Sequence, residues 1–197
     1  MLHNISIGLF IDGGYFAEVS KEAQRQGMKL GVQQLLNFCR AYTASHYKFD
    51  VDDCQITEKH FYRGRHYANK AKEMNLLGSE RTFEDTMISH DMVFHYKHLR
   101  TSPEGSLIEK GIDVWFALET YEIAIARNLD IVIVMTGDGD HEMLLAKIKA
   151  LKKKAILLTY NNADENAVSR LLREEASLHI ELTEVLKESS EFSKYFM

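Results

Sequence analysis

The sequence predicts an α/β fold built around a largely parallel sheet. Three observations lead there. Apolar runs of strand length alternate with segments of helical periodicity from Ile5 to Leu182. The run Ile131 to Met135 (IVIVM) is unbroken and rich in β-branched residues, as a strand covered on both faces reads. Acidic residues stand at the ends of apolar runs, Asp12 after SIGLFI and Asp138 and Asp140 after IVIVMT. The carboxyl edge of a parallel sheet is where ligands collect.

The elements follow in order. Ile5, Ile7, Leu9 and Ile11 recur at every second position and predict a strand over 5–11. Gly13 and Gly14 are expected to break it in a tight turn. Helices are expected at 15–26 and 31–44, the second with Val32, Leu35, Leu36, Cys39 and Thr43 at helical spacing. Residues 54–62 (CQITEKHFY) form a second strand. From Arg63 to about Ser106 the pattern is weak and suggests one or two short helices, a strand near 92–99, and a loop around Pro103, the single proline. A helix at 113–127 places Val114, Leu118, Tyr121 and Ile125 on one face. After 131–135 come a helix at 140–151 with Leu144, Ile148 and Leu151 inward, a strand at 154–159, a helix at 164–176 and an edge strand at 178–182.

A chain of 197 residues with this apolar content is expected to form one domain, with a core over about 5–182 and a C-terminal tail over 183–197. The formal net charge of −5 argues against non-specific nucleic-acid binding by the whole surface but leaves room for a local basic groove. Cys39 and Cys54 lack a CxxC spacing and fit reduced thiols of a cytosolic protein. The start, MLHNISIGLF, lacks the regions of a signal peptide, and no apolar stretch approaches the ~20 residues that span a bilayer. The expectation is a soluble, cytoplasmic protein without a membrane segment; a homo-oligomer is left open.

Each acid has an ordinary role open to it. Asp12 can start a turn with Gly13, Asp113 can cap a helix, and Asp138 and Asp140 can form a turn and a cap. Taken together at one sheet edge they predict a shared acidic pocket. Neighbouring carboxylates oppose each other's ionisation, and a divalent cation relieves that conflict. Gly139 is expected to let the chain turn so that Asp138 and Asp140 face one ion. His141 and Glu142 read as first-turn residues of the following helix, where Glu suits the positive end of the dipole. His95 and His98 have no cysteine or third histidine at zinc-ligand spacing and read as scattered surface residues. Asn161 and Asn162 end a strand, either reaching the crevice or forming a turn.

The segments FIDGGYF, KGIDVWFALE and IVIVMTGDGDHEMLLAKIKALKKKAILL resemble, in order, the IDG, KGxDV and [ST]GDxD elements of NYN-domain proteins, more narrowly the LabA-like branch of the PIN-like nuclease superfamily. The resemblance runs from about residue 5 to about residue 182. It implies a Rossmann-like three-layer sandwich whose acids bind Mg2+ or Mn2+ and cleave RNA, with DNA not excluded. Carried over, Asp12, Asp113, Asp138 and Asp140 form the catalytic and metal-binding cluster. Thr136 matches the Ser or Thr before GDxD and would orient a ligand or water. Glu119 stands where relatives often carry another aspartate, although helical spacing does not put it on the Asp113 side. One departure is the Asn that many members carry just after IDG: Gly14, Tyr15 and Phe16 supply no amide here. In such a site a metal activates water and polarises the phosphoryl oxygens, so no histidine is required as base. The expected products carry a 5′-phosphate and a 3′-hydroxyl.

The stretch KHFYRGRHYANKAK interleaves Lys59, Arg63, Arg65, Lys70 and Lys72 with Phe61, Tyr62 and Tyr67. Arginine forks bind phosphates and aromatic rings stack bases, so Arg63, Arg65, Lys70 and Lys72 are candidates for nucleic-acid contact; a solvated helix after a strand is the plain alternative. The lysines from Lys147 to Lys154 read as a helix end and a solvated surface. Other families fit less well. A haloacid-dehalogenase phosphatase needs an acid where Gly14 stands, a dinucleotide site needs a third glycine that GDGDHE lacks, and a Toprim-like domain usually has Glu at the Asp12 position. The alternative of another class is a LabA-like regulatory or RNA-binding module with little or no turnover.

Overall fold

In the computed structural model, which describes residues 4–102, 107–160 and 168–196, strand β1 (Ile5–Asp12) runs through the middle and is covered on both sides. Ile5, Ile7, Leu9 and Ile11 point into one apolar layer and Phe10 into the other. The first layer is filled by helices α1 (Gly13–Arg25) and α2 (Val32–Tyr47), through residues such as Phe16, Val19, Leu35 and Phe38. All five predicted inward residues of α2 are buried, with Phe38 in addition. Strand β2 (Cys54–Arg65) pairs parallel to β1. It extends past residue 62 because Arg63 to Arg65 pair with Tyr96 to His98 of β3 (Val93–His98). Between them lie the short helices α3 (Ala68–Glu73) and α4 (Leu77–Ile88), within the two-helix expectation for this region. A small antiparallel pair, β4 (Arg100–Thr101) and β5 (Leu107–Ile108), leads into α5 (Ile112–Ala126).

The chain then returns beside β1 as β6 (Ile131–Met135), followed by a 3-10 turn at Gly139–His141, α6 (Glu142–Ala150), β7 (Lys154–Thr159), α7 (Arg170–Glu175) and β8 (Leu178–Glu181). Among the described residues the sheet has six strands in the order β3-β2-β1-β6-β7-β8, and every pairing is parallel. Helices α5, α6 and α7 cover the second face through Phe116, Leu145, Ile148 and Leu172. The result is the α/β/α sandwich of Rossmann-like form that the sequence predicts. Strands on either side of β1 and β6 are laid down in opposite directions, so the crevice beyond these two carboxyl ends is the topological switch point.

Four expectations need correction. Gly13 and Gly14 open α1 rather than a tight turn, and neither has a positive φ. Gly13 serves a close approach instead: a Cβ there would lie 2.6 Å from both the Phe61 ring and the Tyr62 carbonyl oxygen. Helix α5 turns the other way round from the predicted face. Val114, Leu118 and Ile125 are 63%, 66% and 48% exposed, and Ile112, Phe116, Thr120 and Ala124 face the sheet. The helix is apolar around most of its circumference, so periodicity alone does not choose a side. In α6, Leu145 joins Leu144 and Ile148 in the core, while Leu151 is only half-buried beyond the helix end. Helix α7 begins at Arg170; positions 164–167, together with Pro103, Asn161 and Asn162, lie outside the described residues.

Beyond β8, helices α8 (Leu182–Glu188) and α9 (Ser190–Ser193) pack the chain end onto the first layer, with Phe192 and Phe196 against Phe38. Cys39 and Cys54 are buried and unpaired. Among the described residues no helix is long and apolar enough to cross a membrane.

Candidate metal centre

Three chain segments meet at the β1–β6 switch point. β1 delivers Asp12, the first turn of α5 delivers Asp113, and the loop after β6 delivers Asp138. All three line one cleft of about 720 Å3, together with Tyr15, Glu109 and Gly137. Its outer wall is α1, through Glu18, Lys21, Glu22 and Arg25.

Asp12 is held by its surroundings. Its Oδ1 accepts from the backbone N–H groups of Gly14 at 2.9 Å and Tyr15 at 3.2 Å, which makes it the N-cap of α1. Its Oδ2 accepts from the Thr136 hydroxyl at 3.2 Å. Burial raises its pKa from its ordinary value, while the Tyr15 N–H, nearby His141, the Thr136 hydroxyl and the Gly14 N–H pull it down. The side chain that caps α1 is therefore also one that lines the cleft. Thr136 is fully buried and also accepts the Asp138 N–H at 3.1 Å. Its two bonds tie Asp12 to the Asp138 loop.

Asp138 caps the 3-10 turn, its Oδ1 accepting the Asp140 N–H at 3.0 Å. Side chains three apart eclipse in such a turn, so His141 comes round to the side of Asp138. A ligand atom of Asp113, one of Asp138 and one of His141 all lie within 4.8 Å of one another. The His141 ring is buried and rests on Phe116, with centroids 4.8 Å apart. The sequence places His141 in the first turn of a helix; in the structure it ends the 3-10 turn and caps α6. The signal that finds it is the Asp138-x-x-His141 spacing, once a 3-10 turn replaces the α-turn. Asp140 is exposed and is not among the residues that line the cleft.

Glu109 is a second acid that the sequence did not single out. It accepts a hydrogen bond from the Gly64 backbone. Burial raises its pKa first and the charges of Asp12 and Asp113 add to this, against the Gly64 bond and Arg63. Gly111, in the left-handed region with φ 75°, turns the chain from this rim into α5. Beneath the cleft, the Tyr15 hydroxyl accepts the Tyr160 N–H at 2.9 Å, and the Tyr15 ring occupies the space into which a Cβ on Gly137 would project, at 2.6 Å.

The remaining candidates are not among the residues that line the cleft. Glu119 is 3.3 Å from His95 Nδ1 rather than in the cleft. His95 is not a surface residue: it is buried, hydrogen-bonded to His60 at 2.9 Å and stacked on Tyr62 at 4.2 Å. A continuous chain of contacts runs from Arg127 through Glu58, His60 and His95 to Glu119. His98 stacks on Tyr67 at 4.0 Å. Arg65 is engaged by Glu80 and Glu84 at 3.9 and 3.3 Å. Lys70 pairs with Glu73 on α3, and Lys72 is exposed on the same helix. Arg63, at the carboxyl end of β2, sits beside Gly13 and acts on Glu109.

The donors in the cleft suit a divalent cation. Among the described residues no Lys or Arg forms an ion pair with Asp12, Asp113 or Asp138. Oxygens of Asp113 and Asp138 come together without an ion-paired cation, as ligands of hard divalent ions do, while Asp12 lines the same cleft outside that close group. Against known proteins, the family described as the NYN domain matches residues 6–183. No curated protein and no solved structure matches the chain.

Proposed function

This chain belongs to the NYN domain family, within the PIN-like nuclease superfamily, and on that premise we propose that it is a divalent-metal-dependent ribonuclease. The observation that carries the reading is the convergence of Asp12, Asp113 and Asp138, from three distant segments, on one cleft at the switch point of the sheet. Mg2+ or Mn2+ bound by these carboxylates would lower the pKa of water and neutralise charge on the phosphoryl oxygens.

The chain's own residues do the positioning. The first turn of α1 and Thr136 hold Asp12 in a fixed orientation, which avoids reorganisation during reaction. Thr136 keeps the Asp138 loop at a set distance from Asp12. Lys21, on the outer wall, is placed to attract a phosphodiester into an otherwise acidic cleft. Hydrolysis leaves a 5′-phosphate and a 3′-hydroxyl in this proposal. The buried, unpaired thiols of Cys39 and Cys54 support a reducing, cytoplasmic setting.

The test is incubation with single-stranded and structured RNA, and DNA for comparison, in Mn2+ or Mg2+ with and without EDTA, repeated with Asp138→Asn. Cleavage lost in EDTA and in the variant supports the proposal, whereas cleavage that survives both belongs to a contaminant. A second reading, an RNA-binding module without turnover, is favoured by the place of Asp140 outside the cleft lining. RNA binding without cleavage in the native protein would decide for it.

A further inference from the structure

We propose that His141 supplies a nitrogen ligand to the ion of the acidic cleft, and that this mixed donor set selects a first-row transition ion such as Mn2+ over Mg2+. The inference rests on the metal-dependent reading of the cleft and goes beyond it by naming the fourth side chain and the ion class.

His141 is 2% exposed, yet no hydrogen bond or ion pair joins its ring to any described residue. Its ring nitrogens are not among the fully enclosed polar atoms that lack a partner, so a lone pair is open to an incoming ion. Its ligand nitrogen lies within 4.8 Å of carboxylate oxygens on both Asp113 and Asp138. Metal–ligand bonds of about 2.0–2.2 Å put two ligand atoms on opposite sides of an ion about 4 Å apart. A small inward movement of the exposed Asp113 and Asp138 side chains would therefore bring all three onto one ion. The ring cannot easily turn aside: Phe116 packs on it and the 3-10 turn fixes its backbone.

The donor chemistry sets the preference. Mg2+ demands near-octahedral oxygen coordination and keeps its waters, whereas imidazole nitrogen suits first-row transition ions. A rigid, buried nitrogen in a shell with two carboxylates disfavours Mg2+ and leaves Mn2+ able to use every donor.

The experiment uses the full chain, metal-stripped, with Mn2+ and Mg2+ as probes. Calorimetric titration measures both affinities, and pulsed electron paramagnetic resonance of bound Mn2+ reads nitrogen coupling directly. The expected result is Mn2+ bound about ten- to hundredfold more tightly than Mg2+, with nitrogen coupling that disappears in His141→Asn as the preference shrinks. Mn2+ binding without nitrogen coupling, coupling that survives in His141→Asn, or a Mn2+ to Mg2+ affinity ratio near one overturns the inference and leaves the acidic metal site standing. No binding of either ion overturns both. The native protein's coupling and affinity ratio decide the matter even if the variant does not fold, which circular dichroism would reveal.

Discussion

The Thr136 hydroxyl donates to Asp12 Oδ2 at 3.2 Å, bridging the ends of two neighbouring parallel strands, and the same oxygen accepts the Asp138 N–H at 3.1 Å. One buried side chain thus sets the spacing of two acids 126 positions apart in sequence. Thr136→Val keeps the shape, removes both bonds and leaves the Asp138 N–H without its acceptor. The expected cost is about 1–3 kcal/mol in urea unfolding, with weaker Mn2+ binding. Thr136→Ser, which retains the hydroxyl, should restore most of both.

Asp12, which lines the cleft, works against the stability of the metal-free chain. Burial raises its pKa, so the folded state holds its proton more tightly than the unfolded state. The contribution is present below the unfolded value of 3.8 and is lost as pH rises through the folded value. Asp12→Asn keeps an oxygen acceptor for the α1 cap without the charge. In EDTA at neutral pH the variant should melt at a higher temperature than the parent. Hydrolysis should fall by about a hundredfold or more. A lower melting temperature would show that the carboxylate stabilises the empty site.

The His60–His95 pair predicts an acid-labile fold. Burial, then neighbouring His60, pushes the His95 pKa down to about 4 from its ordinary 6.5. Between those values the unfolded chain binds more protons than the folded one, so this contribution is complete above the window and is lost as pH falls through it. Urea midpoints should drop between pH 7 and pH 5, and His95→Gln should flatten that slope.

Gly13 stands where α1 crosses β2 with no room for a methyl group. Gly13→Ala should cost about 1–3 kcal/mol and shift Asp12 with the helix end. Both losses are readable, one by thermal unfolding and the other by Mn2+ affinity. A variant with unchanged melting and binding would show that α1 can move freely away from β2.

The two cations Arg65 and Lys21 should separate in RNA binding. Arg65 is taken up by Glu80 and Glu84, so Arg65→Ala should lower stability by less than about 1 kcal/mol and leave RNA affinity unchanged. Lys21 lines the cleft, so Lys21→Ala should weaken binding and reduce the salt slope by about one. The reverse pattern would place the nucleic acid on the β2–α4 side.

The amino-acid order alone determined the alternation of strands and helices, the parallel sheet and the three acidic segments. These are written in short-range features: the two-residue period of Ile5 to Ile11, the continuous run Ile131 to Met135, and acids directly after strands. Tertiary structure decided which side chains the cleft uses. It turned Val114 and Leu118 outward because a helix apolar on most sides offers no unique face. It drew Glu119 to a buried histidine on β3, left Asp140 off the cleft lining, and set His141 within 4.8 Å of Asp113 and Asp138 through a single tightened turn. Local pattern fixes where an element lies along the chain, but the direction of each side chain depends on what the opposing layer presents, and that opposing layer is distant in sequence.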